Sequence, residues 1–246
     1  MADHGTYVYG IVRAGHRVPP GLRGVGSPPG EVAALVEGRV AAVVSPAPSD
    51  LRARRRDLLA HQELLLGLDA DGPVLPMRFG MAAADEAAVR RLLADAEEQH
   101  LAVLERVDGR VEINVKAMSA DDSLAALVKE EPTIRRLREA VRKRPTYEAN
   151  VRLGEAVATA LSRRAAEAGQ GIVRDLEPLA RTLSPGPEVP GCLVNMSFLV
   201  DRGGAAAFTA EAERLAQRHR DRVVLRVAGP LPCYSFLEPA TAPVGA

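Results

Sequence analysis

The spacing of apolar and polar positions predicts alternating strands and helices in the first half of the chain. Runs rich in β-branched, aromatic and small apolar residues, separated by glycine and proline, predict strands. These strands fall at residues 6–12, 31–37, 39–45 and 74–79. Leucines at helical spacing predict a helix over about residues 50–69, with Ser49 or Asp50 as its N-cap. A second apolar stripe predicts one long amphipathic helix that ends near residue 108.

The second half of the sequence begins with a strict alternation of apolar and polar residues. Apolar residues at 111, 113, 115 and 117 alternate with polar ones, which is typical of a strand buried on one face. We place a domain boundary just before it and expect an N-terminal α+β domain over residues 1–109 and a C-terminal domain over residues 110–246.

The pattern after this strand predicts the rest of the C-terminal domain. Two short charged helices are expected at about 121–144, followed by a helix from Tyr147 to about Ala168 with Thr146 as its cap. Further strands are predicted near 172–176, 192–200 and 222–227, with a helix over about 204–219 before the last one. The resulting order is βαββαβ, so we expect a modified ferredoxin-like domain with a helical insertion. The predicted fold class is α+β with two domains.

Composition narrows the classes of function. Apolar residues make up 47% and charged residues 26% of the 246 residues, which is typical of a globular protein. The 32 basic and 32 acidic side chains cancel, and only 3% of residues are aromatic, so neither nucleic acid nor a membrane is an expected partner. Cys192 and Cys233 fit neither a disulfide framework nor a zinc site, which favours a cytoplasmic location.

The motifs of common active sites are missing from the sequence. Histidines stand at 4, 16, 61, 100 and 219, and no two of them share a helical turn, so no metal-binding pair is predicted. The glycine-rich residues 21–30 lack the Gly-Lys-Ser/Thr of a phosphate loop, and no Gly-x-Ser-x-Gly occurs. We therefore expect no catalytic residue, no cofactor and no metal site, and we interpret His61 as an interior residue.

Basic residues cluster at 52–56 and at 135–144. We interpret these clusters as solvated helix faces or as sites for an acidic protein partner, since the chain has no net charge and no nucleic-acid recognition module. Two other segments, 75–80 and 229–236, place arginine and aromatic residues beside rigid prolines, as contact sites do.

These two segments also carry a family resemblance. Tyr-Val-Tyr-Gly-Ile-Val at 7–12, Leu-Pro-Met-Arg-Phe-Gly at 75–80, Gly-Arg-Val-Glu-Ile-Asn-Val-Lys at 109–116 and Gly-Pro-Leu-Pro-Cys-Tyr-Ser-Phe at 229–236 stand in the order and spacing of the GvpL/GvpF gas vesicle protein family. The chain resembles this family over nearly its whole length. His61 also lies where the family often has a histidine.

The resemblance implies a non-enzymatic accessory or minor structural protein of gas vesicle assembly. Its expected location is the cytoplasm and the gas vesicle, and its expected partners are the small hydrophobic shell protein and other accessory proteins. It would aid nucleation and prevent aggregation of the shell protein. The candidate residues for partner contacts or for contacts between the domains are Arg78, Phe79, Tyr9, Tyr234 and Phe236.

Two alternatives stay open at this point. Ferredoxin-like domains often pair into ligand sites, so the chain could be a small-molecule-sensing regulatory module. It could also be an enzyme that uses Arg78 or His61 in a cleft between the domains. For the leading hypothesis we expect the N-terminal domain to bind the partner, because two of the unusual segments, residues 7–12 and 75–80, lie there.

Overall fold

A computed structural model describes residues 5–120 and 123–237 of the chain. Within these residues the chain forms two compact units. The first comprises residues 5–112 together with residues 230–237, and the second comprises residues 113–229. The sequence-based division after residue 109 differs from these units mainly because the C-terminal segment groups with the first unit and not with the second.

The first unit is built on a five-stranded sheet. Its strands are β1 (Thr6–Arg13), β2 (Ala33–Glu37), β3 (Val40–Pro46), β4 (Leu75–Pro76) and β5 (Ala82–Ala83). They are ordered β2-β3-β1-β4, and β5 also pairs with β1. All the pairings are antiparallel. The predicted strand at 74–79 is thus confined to two residues, and the residues between β4 and β5 form a loop.

Helices cover both faces of this sheet. They are α1 (Arg55–Asp69), α2 (Glu86–Asp95) and α3 (Glu97–Val107). Leu64, Leu65 and Leu68 of α1 pack on one face, and Val89 and Leu104 of α2 and α3 belong to the core on the other. The chain starts α1 at Arg55, so the predicted caps Ser49 and Asp50 are wrong. The predicted single helix up to residue 108 is also wrong, because the backbone leaves helical geometry at Ala96.

A β-bulge in β1 assigns its side chains to the two cores. The register with β3 shifts between Val8 and Gly10, which leaves Tyr9 as the extra residue. One extra residue reverses the alternation of a strand, so Tyr7, Tyr9 and Val12 face α1, whereas Val8 and Ile11 face α2 and α3. The bulge therefore lets Val12, beyond it, share the face beneath α1 with Tyr7 and Tyr9.

The second unit contains a four-stranded sheet in the order β7-β8-β6-β9. Its strands are β6 (Arg110–Ser119), β7 (Thr182–Pro185), β8 (Cys192–Asp201) and β9 (Val223–Leu231). Its helices are α4 (Ser123–Glu130), α5 (Pro132–Lys143), α6 (Tyr147–Leu176) and α7 (Ala205–Arg218). The two short helices expected at about 121–144 are present as α4 and α5, although residues 121 and 122 lie outside the described residues. Both units combine helices with antiparallel pairing, and the predicted α+β class is confirmed.

Helix α6 corrects one predicted strand. The side chain of Thr146 caps α6 as expected, by accepting a hydrogen bond from the Ala149 amide at 3.2 Å. The helix then continues through Gly169 to Leu176, so the strand predicted at 172–176 is wrong and the second strand is β7. A Cβ added to Gly169 would lie 2.8 Å from a methyl carbon of Val194 on β8, so this glycine allows close packing and does not end the helix.

Candidate functional site

A chain of hydrogen bonds in the first unit is centred on His61 of α1. The hydroxyl of Tyr7 lies 2.9 Å from Nδ1 of His61, and Nε2 lies 3.0 Å from the carbonyl oxygen of Met77. A carbonyl oxygen can only accept, so Nε2 carries the proton and Nδ1 accepts from the tyrosine. The Tyr7 oxygen in turn accepts from the amide of Gly80 at 3.1 Å. The network thus binds the loop between β4 and β5 to α1 and β1.

Aromatic rings surround the same histidine. The ring of Tyr9 stacks on His61 with centroids 5.6 Å apart, and Tyr7 and Phe79 each meet it edge-on at 5.8 Å. The Tyr9 hydroxyl accepts from the Val25 amide at 2.8 Å and lies 2.9 Å from the side-chain oxygen of Ser45. All three phenylalanine and tyrosine rings within residues 5–112 are therefore gathered here in a chain with few aromatic residues.

The C-terminal segment reaches the same site. The Tyr234 hydroxyl lies 3.3 Å from Nε2 of His61. The next residue, Ser235, donates from its amide at 2.9 Å and from its hydroxyl at 2.7 Å to the buried carboxylate of Glu112. Phe236 is buried. Residues 234–236 are thus fixed to the first unit by side chains that lie far from them in the sequence.

Burial sets the protonation of these groups. Desolvation lowers the pKa of His61, and the bond to Met77 only partly opposes this shift. Burial also raises the pKa of Tyr7 and that of Tyr234 to about 12. The imidazole and both phenols are therefore neutral at neutral pH. Each hydrogen-bonding atom of the imidazole already has a partner within the unit, so the arrangement supports a role in holding segments together.

The structure brings most of the predicted contact residues together around His61. Phe79, Tyr9 and Tyr234 all lie in the cluster, although Tyr9 is fully buried and therefore cannot touch a partner in this conformation. Arg78 is exposed on the loop, whereas Phe236 is 5% exposed. Of the five, Arg78 and Tyr234 have the most exposed side chains.

An apolar groove that the sequence analysis missed lies on the other face of the first sheet. Its volume is about 100 Å³, and every side chain that lines it is apolar. Met81 is 47% exposed and Leu92 of α2 is 53% exposed, whereas Val89 and Leu93 form the floor. Met77 lines the groove with its side chain and bonds His61 with its carbonyl oxygen. The sequence carries one signal for this groove, since Met77 and Met81, two of the five methionines, stand only four residues apart.

In residues 5–120 and 123–237, no three His, Cys, Asp or Glu side chains are placed to share a metal ion. Across the same residues, no helix combines the length and the hydropathy that crossing a bilayer requires.

Known proteins that match this chain include gas vesicle proteins of two kinds. Gas vesicle protein F of Streptomyces sp. (strain CB03234) is 45% identical over 237 residues, which cover 95% of this chain and 99% of that protein. Gas vesicle protein L of the same strain is 30% identical over 260 residues, which cover 95% of this chain and 93% of that protein.

Two solved structures match this chain in fold. The crystal structure of the gas vesicle protein GvpF from Anabaena sp. PCC7120 matches with a TM-score of 0.78 and 22% identity, and covers 96% of this chain and 99% of that one. GvpF from Microcystis aeruginosa matches with a TM-score of 0.73 at the same identity, over 96% of this chain and 100% of that one. The profile of the gas vesicle synthesis protein GvpL/GvpF family matches residues 5–238. The chain therefore belongs to the GvpL/GvpF family and is a gas vesicle protein.

Proposed function

We propose that the protein is a non-enzymatic accessory or minor structural protein of gas vesicle assembly. It binds the small hydrophobic shell protein, or other accessory proteins, and so aids nucleation and prevents aggregation. It acts in the cytoplasm and at the gas vesicle. Family membership supports the setting, and the apolar groove of the first unit is the single observation that carries the mode of action.

The groove has the size and chemistry of a socket for one apolar side chain. A cavity of about 150 Å³ lined by Leu, Ile and Phe binds benzene, so about 100 Å³ suits an aliphatic side chain. Methionine side chains adapt their shape to different apolar partners, and Met77 and Met81 form one wall. A partner residue that enters the groove would cover the side chains of Met81 and Leu92, whose exposure to water otherwise favours nonspecific association with other apolar surfaces.

Two of the predicted contact residues lie close to this wall in the sequence. Arg78 and Phe79 directly follow Met77, and the exposed guanidinium of Arg78 is free to pair with a partner carboxylate or carbonyl. We assign Tyr9 and Tyr234 a supporting role, because the Tyr9 carbonyl accepts from the Met77 amide at 2.8 Å and the Tyr234 hydroxyl lies 3.3 Å from the imidazole nitrogen that bonds Met77. The buried Phe236 is assigned the role of anchoring the segment that carries Tyr234.

A charge placed in the groove tests the proposal. The assay is a pull-down with the tagged chain from cells that express the small shell protein. The Leu92→Asp variant should retain about tenfold less shell protein than the unmodified chain does, because binding would bury an unpaired carboxylate. Leu58→Asp is the matched control, since Leu58 is 41% exposed on α1 and does not line the groove. Equal retention by both variants, or unchanged vesicle yield with Leu92→Asp, would refute this function.

We also propose that the second unit is a ferredoxin-like domain with α4 and α5 as a helical insertion, and that the chain has two domains. Its strands and helices follow the order β6, α6, β7, β8, α7, β9, and its sheet order β7-β8-β6-β9 supports this assignment. Expression of residues 113–229 alone tests it, since an independent domain should unfold cooperatively.

One cleft favours a small-molecule-sensing function, although it lies in the first unit and not in the second unit, to which the ferredoxin-like alternative applies. A cleft of about 500 Å³ lies between the loop at residues 21–29 and α1, with Asp57 on its wall. This volume lies in the range of ligand sites, about 300–1,000 Å³. A saturable rise of the melting temperature with one cellular metabolite would support this alternative, and its loss in Asp57→Asn would place the ligand in the cleft.

A further inference from the structure

Helix α5 of the second unit carries a dense positive charge. Six basic residues and one acidic residue lie between Pro132 and Arg144, so the rest of the chain has a net charge of −5. All six basic side chains are exposed. They are Arg135, Arg136, Arg138, Arg142, Lys143 and Arg144. We refer to these six residues as the basic surface.

The basic surface is unpaired, unlike many other arginines of the protein. Arg39 pairs with Glu97, and Arg181 pairs with Asp201 through two guanidinium nitrogens. In the part of the chain that the structure describes, no carboxylate forms an ion pair with the basic surface. Arg135 donates to the backbone carbonyl of Lys129 at 2.9 Å instead. Intramolecular pairing therefore leaves this charge available to a partner.

An apolar strip lies directly beside it on the first turns of α6. Tyr147, three residues after Arg144, is 85% exposed, and Val151 on the next turn of the same face is 40% exposed. Gly154 continues this face, and a Cβ added to it would meet no atom within 4 Å. Small and apolar residues on one face of a helix usually pack on a sheet. In the N-terminal half of α6 this face is exposed instead.

We propose that the basic surface and Tyr147 form a docking site for an acidic amphipathic segment of another polypeptide. Its carboxylates pair with the cations of α5, while its apolar residues cover Tyr147 and Val151. The site is separate in sequence and chemistry from the apolar groove of the first unit. The same accessory protein could therefore hold a second, acidic partner while the groove is occupied.

Charge and packing favour a polypeptide over a membrane or a nucleic acid. Helix α5 already uses its apolar side, because Ile134 packs with Leu127 and Ala160 in a buried cluster, so it has no apolar face to insert into lipid. Nucleic acid is disfavoured because the site offers one aromatic ring for base stacking, and because the rest of the chain carries a net negative charge that repels phosphates. A polypeptide can match both the cations and the apolar strip over a short length.

The test uses the full chain and a labelled synthetic peptide as the probe. The peptide is a 20-residue helix, on the order of 30 Å long, with leucine every third or fourth position and glutamate on the other face. Fluorescence anisotropy should give saturable binding that weakens as salt is added. Replacing Arg136, Arg142 and Lys143 together by glutamine should weaken it about tenfold, since each exposed pair contributes modestly.

The controls separate a defined site from nonspecific charge. Arg17, Arg91 and Arg220 are exposed elsewhere, and replacing these three by glutamine removes the same net charge. That control should bind as the unmodified chain does, and Tyr147→Ser should bind severalfold more weakly. No binding at low salt, or equal losses in both triple variants, would overturn the proposal. Tighter binding to duplex DNA or to vesicles of anionic lipid, lost with the same residues, would also overturn it.

Discussion

Replacing Tyr7 by phenylalanine removes one oxygen atom from the centre of the His61 network. The ring contacts with Tyr9 and Phe79 remain, because the two side chains share the same ring. The imidazole Nδ1 loses the Tyr7 hydroxyl that donates to it, and His61 is 3% exposed, so water cannot replace the hydroxyl without opening the site. A buried polar atom left without a partner costs about 1–3 kcal/mol.

The Gly80 amide adds little to this figure. It also loses its acceptor in Tyr7→Phe, but Gly80 is exposed and water can hydrate it. We therefore expect the free energy of unfolding to fall by about 1–3 kcal/mol, which corresponds to roughly 2–12 °C in the melting temperature of a chain of this size. Urea unfolding followed by circular dichroism should show a lower midpoint with an unchanged slope.

Two other tyrosines provide a graded comparison. Tyr147→Phe removes the same atom from a side chain that is 85% exposed, and its effect should stay within about 0.5 kcal/mol. Tyr234→Phe should fall between the two, because Nε2 keeps its bond to Met77. Equal effects of Tyr7→Phe and Tyr147→Phe would refute the hydrogen-bond chain. So would an unchanged rate of hydrogen exchange at the Gly80 amide in Tyr7→Phe.

Three further predictions concern packing, protonation and the C-terminal segment. Gly169→Ala should lower the free energy of unfolding by about 1–3 kcal/mol, because the added methyl group overlaps with Val194 of β8. Gly154→Ala in the same helix should be neutral or stabilising by up to about 1 kcal/mol, and thermal unfolding measures both effects. Because burial lowers the pKa of His61, the unfolded chain binds a proton that the folded chain does not. Stability should therefore fall as the pH drops below about 6.5, by up to about 1.4 kcal/mol per pH unit, and less steeply in His61→Gln. Glu112→Ala should leave Ser235 without its charged acceptor and speed hydrogen exchange at residues 232–237, with a local cost of about 1.5–3 kcal/mol.

Each of these predictions has an outcome that contradicts it. Equal stability of the two glycine variants would mean that α6 does not pack closely on β8. An equally steep loss of stability below pH 6.5 in His61→Gln would assign the titration to other groups, of which His100 is one, since burial lowers its pKa too. Unchanged exchange in Glu112→Ala would show that other contacts alone hold the segment.

Regular patterns in the sequence predicted most of the secondary structure. The alternation at residues 111–117 became β6, and the apolar stripe of α7 became buried as Phe208, Ala212 and Leu215. Such elements are predictable because a single face meets a single core. The broad α+β class follows from them.

The errors arose where packing between distant segments decides the backbone. Gly169 signals a helix end in isolation, yet α6 continues because the glycine meets Val194 of a strand more than twenty residues away. Ala96 is a strong helix former, but the chain changes direction there between α2 and α3. Neither residue carries a local signal for what it does.

The candidate site was predictable in its residues but not in its geometry. Tyr9, Phe79 and Tyr234 stood out because aromatic residues are scarce, and His61 was interpreted correctly as interior. Their convergence needs the loop between β4 and β5 to pack against α1 and the C-terminal segment to return to the first unit, and neither has a sequence signature. The exposure of Leu92 depends on which side of α2 faces the sheet, and the exposure of Met81 depends on the path of the loop between β4 and β5.

The return of residues 230–237 to the first unit also constrains the order of events during synthesis. The ribosome makes Tyr234, Ser235 and Phe236 after all of residues 113–229, so the second unit is complete as a polypeptide before the first can close. Until then, the contact of His61 with Tyr234 and the bonds of Glu112 with Ser235 cannot form. The segment that completes the His61 network is therefore added only after the whole second unit has been translated.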